Sequence, residues 1–303
     1  MKIGMDFPLE WKEKSKEKGI SLSDLLYGVV IEDLFIRLES TSFYKFILLQ
    51  NEQIIGEESY KSKTKERLEF FYLKSDKKIS QEKTVAGQGL SKEIVHLFFD
   101  ELFSCERGNE VIWDYEIEET ARAFVIHLQA ECLEMKVPVT VKIEELVQPP
   151  KVLKTIEVPR LLKAGKHFTY LCYSKENILS ENIFEMMKKL ELISDMGVYD
   201  SINNIIKDQS LSGLHIMEEL QAHLEKEPKV LNIKRLEQIK AYKDYGYMRK
   251  RWQQYTKRHN AEAEEWEVVL SRILKFVEPV WNALCKNEIF FDDWMPELER
   301  FLG

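Results

Sequence analysis

The sequence of 303 residues has little of what marks secreted and membrane proteins. Its 4 cysteines lie far apart, with no Cys-x-x-Cys pair and no histidine at zinc-finger spacing, which excludes a disulfide scaffold and a zinc finger. No stretch approaches the roughly 18 apolar residues that a membrane-spanning helix needs. The first six residues also lack the apolar segment of a signal peptide. We therefore expect a cytoplasmic protein with no membrane partner.

Glycine and proline are also scarce, at 12 and 8 residues, which argues against a loop-rich β-sandwich and favours helices. The 44 Lys and Arg residues are outnumbered by 52 Asp and Glu, for a net charge of −8. This balance disfavours nucleic-acid binding through overall charge, although a local basic patch is compatible with it. Apolar residues make up 44% of the chain, so a substantial core can form.

The periodicity of apolar residues changes near residue 175. Before that point, a helix is predicted from Leu25 and another over 90–103, with a loop over 75–89. The predicted strands of this half are 46–49, 54–55, 67–73, 111–117, 123–130 and 137–143. The predicted helices of the second half are 176–191, 198–207, 211–225, 232–258, 262–285 and 293–302. We expect an α+β domain over residues 1–170 and a helical domain over 171–303.

Basic and aromatic residues alternate over residues 240–260, a combination that can bind RNA through phosphate pairing and base stacking. The candidate nucleic-acid-binding residues are Arg249, Lys250 and Arg251. An ordinary surface helix explains the segment equally simply and is the favoured interpretation. In that case an apolar stripe would face the core, formed by Tyr245, Met248, Trp252 and Tyr255.

Several short motifs follow one another in a recognisable order along residues 20–284. They are Ser42–Leu48 after the first long helix, Val158–Leu162, Tyr173-x-x-Glu176, Ser180-Glu181, Tyr199-Asp200, Arg251-Trp252-x-x-Tyr255 and Phe276–Trp281. Together they resemble the AbiE-type abortive-infection toxin family. The resemblance implies a nucleotidyltransferase-like mixed sheet with flanking helices, followed by a helical C-terminal domain.

The resemblance also implies a chemistry. In the family, a Gly-Gly-Ser loop holds the phosphates of a nucleoside triphosphate, and acids at i and i+2 of the next strand hold Mg²⁺. Alternate residues on a strand point to one face, so two such carboxylates converge on one ion. The implied reaction is nucleotide transfer onto an RNA or protein acceptor. The implied setting is a bacterial toxin–antitoxin or phage-defence module, with an antitoxin protein or an RNA such as tRNA as partner.

This sequence departs from the family pattern at the positions that carry the chemistry. Gln50-Asn51-Glu52 stands in the Gly-Gly-Ser slot, and Arg67-Leu68-Glu69 stands in the paired-acid slot. A third acid slot holds Lys142, with Glu144 two residues on, and the downstream Lys-Asp slot reads Met196-Gly197. These departures predict a pseudoenzyme.

The pseudoenzyme hypothesis makes a structural prediction. Arg67 and Lys142 should form ion pairs with Glu69 and Glu144 across neighbouring strands, where the metal ion would otherwise lie. Nucleotide contacts, if any persist, would come from Gln50, Asn51, Arg67 and Lys142.

Two alternatives stay open. If the protein is active, it needs Mg²⁺ and a nucleoside triphosphate, Glu69 is its metal ligand, and Glu144 and Glu181 are the second and third acids. If it is a catalytically silent scaffold, it binds a protein partner or RNA through the retained fold. The four charged strand residues would be ordinary surface charges if the resemblance were absent.

Overall fold

The chain folds into two compact units. The computed structural model describes residues 7–50, 55–61, 65, 67–74, 88–105, 111–121, 123–146, 149–151, 153–259 and 264–303. The first unit comprises Met1–Pro149 and Leu153–Ser174, and the second comprises Pro150–Val152 and Lys175–Gly303. Among the described residues, no helix has the length and apolar character needed to cross a lipid bilayer.

The first unit is built on a mixed sheet with helices on it. The strands described are β1 (Ile47–Leu49), β2 (Leu68–Leu73), β3 (Ile112–Glu119), β4 (Phe124–Cys132), β5 (Met135–Leu146), β6 (Lys154–Pro159) and β7 (His167–Cys172). The helices described are α1 (Leu9–Lys18), α2 (Leu22–Glu39), α3 (Glu57–Tyr60) and α4 (Lys92–Ser104).

The strand order across this sheet is β3-β4-β5-β2-β1-β7-β6. Strands β3, β4 and β5 form an antiparallel meander, as the turns between them allow. Strand β2 then runs parallel to β5 and antiparallel to β1, and β1 runs parallel to β7. The predicted α+β class is confirmed, because the first unit combines this mixed sheet with helices and the second is mainly helical.

Helix α2 forms the centre of the first unit's core. Ser21 caps its start by accepting a hydrogen bond from the N–H of Asp24 at 3.1 Å. Phe35 lies against both β2 and β7, with ring centroids 5.9 Å from Phe70 and 5.1 Å from Tyr170. The helix is buried on nearly all sides, which explains why its sequence is apolar around most of its circumference.

A buried ion pair lies within α2. Arg37 donates from Nε to Asp33 Oδ2 at 2.7 Å, and Trp113 of β3 donates to the same oxygen at 2.7 Å. The guanidinium also donates to the carbonyls of Cys105 at 2.7 Å and Val111 at 3.1 Å. Arg37 thereby joins α2 to the chain just after α4 and just before β3.

A second buried acid of α2, Glu32, anchors one of the family-like motifs. Its Oε1 accepts the N–H of Leu161 at 2.6 Å, within the Val158–Leu162 segment. Gly28, one turn earlier, lets that segment approach closely, since a Cβ there would lie 2.5 Å from the Leu161 side chain. Burial raises the pKa of the Glu32 carboxyl to about 7.

The second unit is mainly helical. Its helices are α5 (Lys175–Lys189), α6 (Gly197–Asp208), α7 (Gly213–Lys226), α8 (Ile233–Ala241), α9 (Gly246–Arg258) and α10 (Trp266–Lys286). Three short strands pair in the order β10-β9-β8 and are β8 (Leu211–Ser212), β9 (Asp293–Met295) and β10 (Arg300–Leu302).

The charged centre of the second unit is Arg272 of α10, which is 8% exposed. Its guanidinium pairs with Glu264 through two hydrogen bonds of 2.7 and 3.0 Å, and with Glu299 at 2.8 Å. It also donates to Asn203 Oδ1 of α6 at 2.6 Å. Hydrogen bonds from this guanidinium lower the pKa of Glu264 to about 2.

Three parts of the sequence-based assignment need correction. Residues 293–302 form β9 and β10 and not a helix, because Pro296 and a left-handed Glu299 interrupt the chain there. The predicted helix 232–258 is two helices, separated at Tyr242–Tyr245. The predicted strand 54–55 is wrong at Ile55, which lies in a bend, while residues 51–54 lie outside the described residues.

The sequence-based assignment also missed β6 and β7. Ile156 and Val158 of β6 do alternate with Thr155 and Glu157, but each strand has only six residues, and the assignment overlooked this short signal. The predicted domain boundary between residues 170 and 171 consequently falls inside β7. Residues 75–87 of the predicted loop lie outside the described residues.

We predict that Arg37→Ala lowers the free energy of unfolding of the first unit by about 3–5 kcal/mol, because it leaves a buried carboxylate without its guanidinium. Urea titration with hydrogen exchange of α2 peptides would measure this loss. The exposed Lys45→Ala is the matched control and should cost little. A loss below about 1 kcal/mol for Arg37→Ala would contradict a stabilising role for the pair.

We also predict that the first unit loses stability as pH rises from 4.5, the ordinary pKa of Glu32, to its native value of about 7. In this window the native state holds more protons than the unfolded state, so the free energy of unfolding falls with pH, by about 3 kcal/mol in total. Glu32→Gln keeps an acceptor for Leu161 and should flatten the pH profile. An unchanged slope in the variant would assign the effect to other groups.

Candidate functional site

Four charged side chains share one face of the sheet where β2 meets β5. Glu69 lies opposite Lys142 in the parallel register, and Phe71 lies opposite Glu144. Arg67, two residues before Glu69, therefore projects to the same face. The alternating residues of both strands face the core, and these include Leu68, Phe70, Val141 and Ile143.

Each acid of this face is paired with a cation two residues before it in the chain, on β5 for Glu144 and one residue before β2 begins for Glu69. Arg67 forms an ion pair with Glu69 on β2 and also donates from Nε to Glu69 Oε1 at 3.1 Å. Lys142 Nζ lies 3.0 Å from Glu144 Oε2 on β5. The predicted partners are thus found, but the prediction that the pairs cross between strands is wrong. Residues i and i+2 lie on one face about 7 Å apart, which long side chains span easily.

Gln50 supplies the contact that does cross the strands. It lies one residue beyond β1, where its N–H donates to the carbonyl of Glu69 at 2.8 Å. Its side-chain Nε2 donates to Glu144 Oε1 at 3.1 Å. Both oxygens of Glu144 are therefore engaged, one by the Gln50 amide and the other by the Lys142 ammonium. Asn51, the other candidate of this loop, lies outside the described residues.

These pairs are half-buried and not part of the core. The side chains of Arg67 and Glu69 are 43% and 32% exposed, and those of Lys142 and Glu144 are 23% and 27% exposed. Ion pairs with this degree of exposure stabilise a fold by only about 0–1 kcal/mol. Their main effect is to neutralise both acids locally.

The residues of this face do not fit a resident Mg²⁺ ion with a bound triphosphate. Mg²⁺ needs oxygen ligands in near-octahedral geometry, at least one or two of them carboxylates. Here Lys142 stands directly opposite Glu69, so the two acids are diagonal neighbours with a cation between them. Among the described residues, no group of three or more His, Cys, Asp or Glu side chains is arranged to hold a metal ion. No catalytic step can be derived through a metal here.

The third predicted acid, Glu181, belongs to the second unit, where it lies on α5 and is partly buried. Its neighbour Asn182 donates to Ser201 of α6 at 2.9 Å, so this part of α5 packs within its own unit. A catalytic role for Glu181 stays a prediction.

Of the three nucleic-acid-binding candidates on α9, two contact their own unit. Arg249 forms an ion pair with Glu267. Arg251 donates to the carbonyls of Glu191 at 3.1 Å and Ser194 at 3.2 Å. Lys250 is exposed. A role of these residues in binding RNA stays a prediction.

The predicted apolar stripe of this segment is found only in part. Met248 and Trp252 are buried, but Tyr245 is 44% exposed. The stripe assumed one continuous helix, whereas α9 begins only at Gly246 and Tyr245 precedes its first turn. The sequence-based analysis therefore did not identify the exposed tyrosines as surface residues.

Comparison with known proteins gives little guidance. No protein-family model matches this chain, and neither does any curated protein. Among solved structures, JHP933 from Helicobacter pylori overlaps 93% of this chain and 99% of its own, at 11% identity and a TM-score of 0.37. A Helicobacter pylori protein with a provisional description as a nucleotidyltransferase overlaps 94% and 100%, at 11% identity and a TM-score of 0.38. Overlaps of this quality do not establish a common fold.

We predict that Arg67→Gln and Lys142→Gln each change the free energy of unfolding by less than about 1 kcal/mol, because each breaks a solvent-screened pair. Urea titration of both variants beside Arg37→Ala would measure the difference. A loss as large as that of Arg37→Ala would show that the pairs are structural and not local charge neutralisation.

Proposed function

We propose that this chain is a nucleotidyltransferase-like protein of a bacterial toxin–antitoxin or phage-defence module, with an active site that no longer supports metal-dependent transfer. The motifs along residues 20–284 support the family assignment. The observation that carries the pseudoenzyme proposal is the pairing of Glu69 with Arg67 and of Glu144 with Lys142.

The charges on the sheet face argue against metal-dependent catalysis. A divalent ion supplies two things in nucleotidyl transfer, neutralisation of the triphosphate charge and activation of the attacking hydroxyl. Each acid of this face already has a cationic partner, so an incoming metal ion must displace a lysine or arginine to gain a carboxylate ligand. Gln50 also holds one oxygen of Glu144, which adds to the cost of that displacement.

A catalytically silent scaffold that binds a protein partner or RNA is the second candidate function. Exposed cations on α9, such as Lys250, favour it, because a retained fold with a basic surface can recruit a partner without chemistry. The two candidates agree about the sheet face and differ in the partner through which the protein acts.

We predict no metal-dependent binding of any nucleoside triphosphate to the natural chain. Calorimetric titration with ATP, GTP, CTP and UTP, each with Mg²⁺ or Mn²⁺, would measure this. Tight binding that requires the metal would overturn the pseudoenzyme proposal.

A matched pair of variants makes this titration informative. Arg67→Asp places carboxylates at i and i+2 of β2 on one face, the arrangement that holds a divalent ion, so it should gain measurable Mn²⁺ binding. Glu69→Ala should leave any toxicity or phage resistance of the natural chain unchanged. A phenotype that disappears with Glu69→Ala would mean that the site is active.

A further inference from the structure

Helix α9 is the most basic helix of the second unit. Its sequence, GYMRKRWQQYTKR, contains five Arg and Lys residues and no Asp or Glu. Two of the five cations, Arg249 and Arg251, contact Glu267 and backbone carbonyls of the same unit. The other cations of α9 are exposed.

The exposed side of α9 is a single continuous face. Tyr247, Lys250, Gln254 and Lys257 follow one another at i, i+3, i+7 and i+10, and all four are exposed. This spacing places them on one side of a helix, away from the buried Trp252. We call these four residues the α9 face. Its two lysines are about 10 Å apart along the helix axis, the rise of about three stacked nucleotides.

Exposed aromatic rings lie at the N-terminal end of the α9 face. Tyr245 and Tyr247 are 44% and 51% exposed, with ring centroids 5.8 Å apart and planes inclined at 47°. The guanidinium of Arg251 lies 5.6 Å from the Tyr247 ring, and Tyr242 lies 6.0 Å from Tyr245 on the other side. These contacts hold two rings at the surface, where planar ligands can stack on them.

An open cleft of about 380 Å³ adjoins the rings. It is lined by Tyr242 and Tyr245, by Gln238, and by the acids Glu191 and Asp244. The two carboxylates repel phosphate but accept hydrogen bonds from the amino groups of nucleobases. The cleft and rings therefore suit bases, whereas the lysines suit phosphates.

We propose that the α9 face binds single-stranded nucleic acid, with bases stacked on Tyr245 and Tyr247 and phosphates paired with Lys250 and Lys257. Only an unpaired strand offers both base faces and a flexible backbone to such a surface. The rings would be unused by a duplex, and an acidic protein would pair its carboxylates with the lysines without needing the rings. The proposal concerns the second unit alone and stands whether or not the sheet face of the first unit is active.

The test is fluorescence anisotropy with a labelled RNA of about 12 nucleotides and little secondary structure, the size that such surfaces cover. The DNA of the same sequence, the RNA duplex and heparin are the comparison ligands. We expect the two single strands to bind more tightly than the duplex or heparin. We expect Lys250→Gln with Lys257→Gln to lower the slope of log K against log salt by about 1.4, since each phosphate contact contributes about 0.7.

The rings are tested separately from the charges. Tyr245→Leu with Tyr247→Leu should weaken single-strand binding at least about fivefold, because stacking is lost. Tyr245→Phe with Tyr247→Phe should keep it, because the ring faces remain. All these side chains are exposed, and circular dichroism would confirm that the variants fold.

The matched control for the lysine pair is Lys229→Gln with Lys234→Gln, which removes the same charge from exposed positions of the same unit. It should leave the salt slope unchanged. Any one of four results would overturn the proposal. The first three are no oligonucleotide binding by the natural chain, equal losses for the two lysine pairs, and heparin binding as tight as that of the single strands. The fourth is unchanged binding by the Tyr245→Leu with Tyr247→Leu variant, because it would leave only nonspecific charge attraction.

Discussion

The buried pair of Asp33 and Arg37 is the interaction on which the first unit depends. One guanidinium donates to a carboxylate of its own helix and to carbonyls on either side of residues 106–110, at Cys105 and Val111. Desolvation offsets much of the Coulomb attraction in such a pair, so its value lies in specifying one arrangement of α2, α4 and β3. With the apolar face of the sheet covered in this way, the charged residues of β2 and β5 are left on the opposite face.

On the charged face of the sheet, each acid is paired with a base and not with a second acid. Glu69 and Glu144 each pair with a cation that lies two residues earlier in the chain, Arg67 and Lys142. The period of two in a strand brings these charges together as surely as it would bring two carboxylates together. Exchanging one acid for a base at i−2 or i+2 therefore changes a ligand pair into an ion pair without altering the strand.

Helix α9 presents the opposite case, in which charges that are adjacent in sequence are separated in space. Arg249, Lys250 and Arg251 are consecutive, but the helix turns each by about 100° from the last. Arg249 reaches Glu267 and Arg251 reaches carbonyls near Glu191, while Lys250 joins Tyr247 and Lys257 on the exposed side. A run of basic residues is thus divided between two structural contacts and one surface.

Features of the fold that depend on neighbouring residues could be predicted from the sequence, whereas features that depend on contacts between distant segments could not. The meander β3–β4–β5 and the long helices α2, α4 and α10 follow from local periodicity, and the presence of Arg67, Glu69, Lys142 and Glu144 on strand faces follows from alternation alone. Strands β6 and β7 were missed because they are short and their place in the sheet depends on the pairing of β7 with β1, far away in sequence. The sequence determined which charged residues lie on this face of the sheet. Only the tertiary structure decided that they pair along the chain, that Gln50 reaches across to Glu144, and that Tyr245 and Tyr247 lie at the surface, because register and helix ends are set by contacts between distant segments.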